Sequence, residues 1–269
     1  MELQLIDQIE SLPPLPKTLL KIVEFETNNQ LQPETLLAII EKDPLVVSTL
    51  LKAANSSLFG FRGSVETPSR AINLLGINFS LAVIMSSILN NLVKTDLSPY
   101  GLTDDAFIHN SQLQFTLAQV WADEISVELK EDLQLPALLQ EIGKFIISSI
   151  LLKEDRAKEF NDLLNLYNCD FKAEKELVGY STSEVTAMIF KHWRLNDDLS
   201  RIIEHIDYPE ANDSVKTAYL HVIKIACNLI DPLSEKSLET ARKEVEKYKL
   251  DRELFEKAIQ KLREKLENN

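Results

Sequence analysis

The chain has 269 residues, 45% of them hydrophobic and 26% charged, which supplies one large core or two modest ones and rules out a disordered or fibrous chain. Its net charge of −13, with 12 basic against 23 acidic residues between positions 101 and 233, repels phosphate backbones and argues against non-specific nucleic-acid binding, while leaving room for a local basic pocket. Cys169 and Cys227 share no short-spaced motif and read as free thiols; the start carries no basic n-region, and the apolar stretches fall short of the roughly 20 residues that span a bilayer, so a cytoplasmic chain without a membrane segment is expected.

Apolar residues recur at helical spacing, no run alternates as a strand would, and the six glycines fall mostly between periodic segments. The expected fold class is all-α. Met1–Glu10 reads as an amphipathic first helix. Leu12-Pro13-Pro14-Leu15-Pro16 is a rigid extended lead-in, because proline is excluded from helix interiors. Next comes a helix with a written start and stop. Asp43 is the N-cap, Pro44 takes the first helical position, and Leu45, Val46, Val47, Leu50, Leu51 and Ala54 form the apolar face. Asn55-Ser56-Ser57 interrupts that face and Gly60 can end the segment. Asn55 reads as a pin for the helix end, with a ligand-reading role as the alternative. Thr67 and Pro68 open a second capped helix that stops at Gly76.

The breaker-rich segment from Lys94 to Thr103 is the best internal boundary. Residues 104–127 read as one long helix, burying Leu113, Leu117, Val120, Trp121 and Ile125. Ser181-x-x-Glu184 fits a capping box that opens a helix through His192 and Trp193. A further helix is expected over about 213–230. The tail reads as a helical hairpin: Leu238, Ala241, Val245 and Tyr248 keep one period, and Leu250, Leu254, Phe255, Ala258, Ile259, Leu262 and Leu266 keep another. The chain is thus expected to be one unit with three sub-regions, 1–95, 104–232 and 233–269.

The order "LPPLP", "DPLVVSTLLKAANSSLFG", "AINLLG" resembles the N-terminal half of an HDOD domain, the HD-related output domain of bacterial signalling proteins. The match is closest over residues 10–95, carried by Asp43, Pro44, Asn55, Ser56 and Gly76, and weakens toward residue 210. The resemblance implies a helical half packed on a second half related to metal-dependent HD phosphohydrolases.

Those enzymes hold one or two metal ions on His and Asp side chains, which acidify a bound water. Their central segment resembles G-L-L-H-D-I-G-K, and here it is Ala137-Leu138-Leu139-Gln140-Glu141-Ile142-Gly143-Lys144. Gln140 replaces the His, and an amide is a poor ligand for transition metals. Glu141 replaces the Asp. Thr182 stands at a second His position, within Gly179-Tyr180-Ser181-Thr182-Ser183-Glu184. A His-His-x-Pro run has become Glu204-His205-Ile206-Asp207-Tyr208-Pro209. His109 lies where an early motif His can occur. No P-loop, nucleophile elbow or dinucleotide fingerprint is present.

The resemblance and the altered ligand positions imply a non-catalytic output module. It would need no cofactor or metal, and its partners would be signalling proteins such as a kinase or response regulator. An alternative keeps the cleft around His109, Gln140, Glu141, Lys144, Thr182, His205 and Asp207 as a small-molecule site for a nucleotide or cyclic dinucleotide. On that reading Lys144 offers a phosphate contact; otherwise it is exposed helix surface. A third reading is a divergent phosphohydrolase using Glu141, His205 and Asp207. His192 and His221 read as packing residues.

Overall fold

The computed structural model describes residues 2–12, 33–55, 64–77, 79–81, 83–84, 96–167, 169–195, 197–211, 214–228 and 231–267. Among these, every regular element is helical. Pro13 to Pro16, Ser56, Ser57, Gly60 and Lys94 lie outside the described residues, as does the side chain of Leu45.

The first half holds α1 (Glu2–Glu10), α2 (Pro33–Ile40), α3 (Pro44–Ala54) and α4 (Pro68–Leu75). Asp43 caps α3 through Oδ1, which accepts from Val46 N at 3.4 Å, and Pro44 is its first residue. Asn55 follows α3 and clamps the returning chain. Its Nδ2 donates to Leu51 O and Val65 O, and its Oδ1 accepts from Val65 N, all at 2.8 Å. Thr67 caps α4 through Arg70 N, and Gly76 ends it at φ 82°, a left-handed φ at which side chains are strained. α2, α3 and α4 pack on one another.

The second half runs through α5 (Asp104–Ala122), α6 (Val127–Leu139), α7 (Gly143–Lys153), α8 (Ala157–Tyr167), α9 (Asp170–Val178), α10 (Thr182–His192), α11 (Asp197–Glu204) and α12 (Val215–Ala226). The hairpin follows as α13 (Glu235–Lys247) and α14 (Arg252–Glu267). Leu113, Leu117, Val120 and Trp121 are buried, as their period requires. Ile125 is not: α5 stops at Ala122, so Ile125 falls in the following turn and is 38% exposed. Ser181 and Glu184 form the capping box of α10 in full.

The hairpin lies on the second half, α13 against α12 and α14 against α5. Trp121 is the pivot, 4.7 Å from the Tyr219 ring and 5.0 Å from the Phe255 ring. Glu124 receives both Lys257 and Lys261 at the edge of that contact. The segment expected as a boundary is threaded into the core. Leu97, Pro99 and Tyr100 are buried, Ser148 Oγ donates to Asp96 O at 2.5 Å, and Tyr100 meets Phe160 edge-on at 4.9 Å. One run, Asp132–Lys153, is long and apolar enough to cross a membrane by composition, which corrects the expectation that every apolar stretch falls short. Its apolar window is 89% buried inside the fold, and the helix breaks within it between α6 and α7. Cys169 and Cys227 are free thiols.

Candidate functional site

The motif-bearing corner between α6 and α7 is set by one glycine. A Cβ on Gly143 would stand 2.3 Å from Thr182 O and 2.9 Å from Thr186 N, both backbone atoms. Only glycine lets the start of α7 rest on the start of α10, where Gly143 N donates to Thr186 Oγ1 at 2.8 Å. That crossing turns Glu141 and Lys144 inward, toward the first turn of α10 and one face of α9, where Asp170 and Glu174 sit four residues apart.

Lys144 Nζ is the centre of the resulting cluster. It lies 2.6 Å from Asp170 Oδ2, 3.1 Å from Glu141 Oε2 and 3.2 Å from Glu174 Oε1, with the Tyr100 ring 4.7 Å away. Glu174 also accepts from Tyr100 OH at 2.9 Å, and from Thr182 N and Thr182 Oγ1 at 2.6 Å each. A second ammonium, Lys224 Nζ on α12, lies 2.6 Å from Asp207 Oδ1 and 4.0 Å from Glu141 Oε2. Asp207 Oδ2 accepts from Ser183 Oγ at 2.6 Å and from Ser183 N at 3.3 Å. Gln114 Nε2 donates to Glu141 Oε1 at 3.2 Å, and Gln140 Nε2 donates to Gln114 Oε1 at 2.7 Å.

The charges hold one another ionised. Burial alone lowers Lys144, yet Asp170, Glu141 and Glu174 outweigh it and hold the ammonium well above the usual lysine range. Lys224 is raised in the same way, burial opposing and Asp207 prevailing. Burial raises Asp170 and Asp207, and their lysines pull both below the usual aspartate range. Glu174 is the exception: burial lifts its carboxyl above the ordinary value despite Lys144.

Of the residues named from sequence, Gln140, Glu141, Lys144, Thr182 and Asp207 meet here, each at most 3% exposed. Lys144 is therefore not helix surface: it is fully buried, because Asp170 and Glu174 replace its water. His109 and His205 do not join. His109 is on the exposed side of α5, and His205 Nδ1 pairs with Arg201 O at 3.1 Å within its own turn. His192 is exposed at the end of α10 beside Trp193, and His221 is 4% exposed with Nδ1 2.6 Å from Ile206 O. The sequence reading missed Tyr100, Asp170, Glu174, Ser183 and Lys224. A signal existed for Lys224, a lone cation in the apolar run Val222-Ile223-Lys224-Ile225-Ala226, and for Asp170 and Glu174 at helical spacing.

The donor set does not fit a divalent metal centre. The three carboxylates that converge, Asp170, Glu141 and Glu174, converge on the Lys144 ammonium, which stands where a cation would sit, and Gln140 offers only an amide, a poor ligand for transition metals.

Fold and site together define an all-helical domain whose motif corner is filled by internal ion pairs. The HDOD domain family matches residues 12–209, and the chain belongs to that family. A protein of Treponema pallidum (strain Nichols), named only "Uncharacterized protein", is 25% identical over 221 residues, covering 78% of this chain. The chain spans 40% of the length of that curated relative. A structure from Shewanella amazonensis SB2B, provisionally named a phosphohydrolase, superposes with a TM-score of 0.71 at 19% identity, covering 98% of this chain and 96% of the other. One from Marinobacter aquaeolei VT8, provisionally named a signal transduction protein, superposes with a TM-score of 0.72 at 20% identity, covering 97% and 59%. At these identities the two structures speak for the fold alone.

Proposed function

We propose that this HDOD chain is a non-catalytic signalling module of the cytoplasm that acts by docking on other signalling proteins, such as a kinase or a response regulator. The observation that carries the reading is the pair of buried ammonium groups, Lys144 and Lys224, held at 2.6 Å by Asp170 and Asp207. A hydrolase needs a metal-activated water facing its substrate. Here Glu141 and Asp207 face lysines, and Gln140, Glu141, Lys144 and Thr182 are closed to solvent. The phosphohydrolase reading through Glu141, His205 and Asp207 also lacks geometry, since His205 faces its own helix turn. A nucleotide-reading cleft built on Gln140, Glu141, Lys144 and Thr182 has no opening at those residues, all at most 1% exposed.

The test is hydrolysis of bis(p-nitrophenyl) phosphate and of cyclic dinucleotides with magnesium, manganese or ferrous iron added. No turnover above the blank is expected. Turnover that scales with protein and disappears in Glu141→Gln would overturn the proposal. Crosslinking to co-expressed kinases and response regulators then reads the docking directly.

A further inference from the structure

A cavity of about 310 Å³ opens beside the motif corner, between the end of α8, the start of α9, the inner face of α12 and the first turns of α13. Its floor includes Asp170, Asp207 and Lys224, and its walls include Tyr167, Phe171 and Ile225. We infer that this cavity binds a small phosphorylated metabolite carrying a flat ring, of nucleoside-monophosphate size.

The chemistry follows from which lining groups still have bonding capacity. The acceptors are engaged by hydrogen bonds or, for Glu244 Oε2, which makes none, by neighbouring charge. Asp170 takes Lys144 and Phe171 N, and Asp207 takes Lys224 and Ser183. Asn228 Oδ1 takes Asp231 N, and Ser237 Oγ donates to Asp231 O. Glu244 pairs with Lys247 at 3.3 Å and stands 3.7 Å from His221 Nε2.

The donors are in excess. Lys224 is 4% exposed and has one close carboxylate, its next lying at 4.0 Å, so an ammonium with three N–H groups faces the cavity floor with one strong partner. Lys172 and Lys236 also line the cavity, are exposed, and make no ion pair among the described residues. Each sits in the first turn of a helix, α9 and α13, whose N-terminal dipoles add to the attraction for an anion. An anionic group is the complement of this surplus.

The ring is argued from the walls. Phe171 meets Tyr208 edge-on at 5.5 Å and lines the cavity with Tyr167. The volume is at the small end of ligand pockets, which suits one ring, one sugar and one phosphate and excludes a cyclic dinucleotide. The inference goes beyond the docking role and stands whether or not the output is a protein contact.

The experiment is calorimetric titration of the full chain with AMP, GMP, CMP and UMP, and with adenosine and inorganic phosphate as halves of the ligand. Saturable binding of at least one monophosphate is expected, with a Kd below about 1 mM and both halves weaker. The double variant Lys172→Glu/Lys236→Glu changes two exposed side chains and should weaken binding by about tenfold or more at an unchanged melting temperature. Lys172→Gln/Lys236→Gln is the milder version if charge reversal disturbs the fold. Absence of saturable heat with all four monophosphates would overturn the inference. So would binding that ignores both lysine variants, or binding no tighter than inorganic phosphate alone. The readout is equilibrium binding, so its failure is separate from any finding of hydrolysis.

Discussion

Lys224 Nζ, from the last turn of α12, reaches 2.6 Å from Asp207 Oδ1 just past the end of α11, with both side chains at most 5% exposed. A pair at that depth has exchanged much of its water for protein partners, each other and, for Asp207, Ser183. Removing one member leaves the other charged and unsolvated, which costs far more than the pair contributes when intact.

Lys224→Met should therefore destabilise the fold by about 3–5 kcal/mol, read as a shift in the urea unfolding midpoint. Adding Asp207→Asn to the same chain should recover part of that loss, because the amide no longer demands a cation. A double variant as unstable as the single one would show that Lys224 matters for packing and not for charge.

Gly143→Ala should be worse than a typical overpacking substitution, above about 2 kcal/mol, because the new methyl meets the backbone of Thr182 and Thr186 and no flexible side chain can yield. Circular dichroism melting reads the loss. An unchanged melting temperature would mean that α7 and α10 are freer to separate than their contact implies.

Asn55→Ala removes a side chain that satisfies two carbonyls and one N–H at 2.8 Å. The expected loss is about 1–3 kcal/mol. Asn55→Asp tests the direction of the bonds: a carboxylate accepts from Val65 N but has no donor for Leu51 O and Val65 O, so most of the loss should remain.

The pH profile follows from the same cluster. Asp170 and Asp207 lie below the ordinary aspartate value, so their contribution is full above about pH 4 and is lost as the pH falls through their lowered values. Lys144 and Lys224 lie above the ordinary lysine value, so theirs is full below about pH 10 and is lost as the pH rises through the raised values. Glu174 acts in the opposite sense to the aspartates, since its raised carboxyl takes a proton first in the folded state and softens the acid side. Urea midpoints should be flat near neutrality and fall below about pH 4. The fall should be shallower in the Lys224→Met/Asp207→Asn chain.

Much of the fold was legible because helix punctuation is local. Asp43-Pro44, Thr67-Pro68, Gly76 and Ser181-x-x-Glu184 each write a boundary within four residues, and each is found where its chemistry places it. Ile125 was misplaced because periodicity continues past a helix that has run out of hydrogen bonds. The site was half legible. Gln140, Glu141 and Thr182 were found through a motif frame, but Lys144 was judged by residue type, and type favours the surface. Its burial depends on Asp170 and Glu174, which are 26 and 30 residues away in the chain. Lys224 lies 17 residues from Asp207, and only the folded packing of α11 on α12 reveals that they meet.

The first helix carries a mechanical consequence. α1 rests on α7 and α10 of the second half, with Gln8 Nε2 donating to Ser149 Oγ at 2.7 Å and Leu5 and Ile9 buried. The chain leaves that anchor, builds α2 to α4, and returns at Asp96, where Ser148 holds it again only one residue from Ser149. The first half is thus tied to α7 at both of these points, and to α5 through Lys52 Nζ, 2.9 Å from Asp105 Oδ1, and the Phe79 ring, 4.7 Å from Phe115. A displacement of α2, α3 or α4 should therefore be felt at α5 and at α7, the helix that begins at Gly143 and carries Lys144.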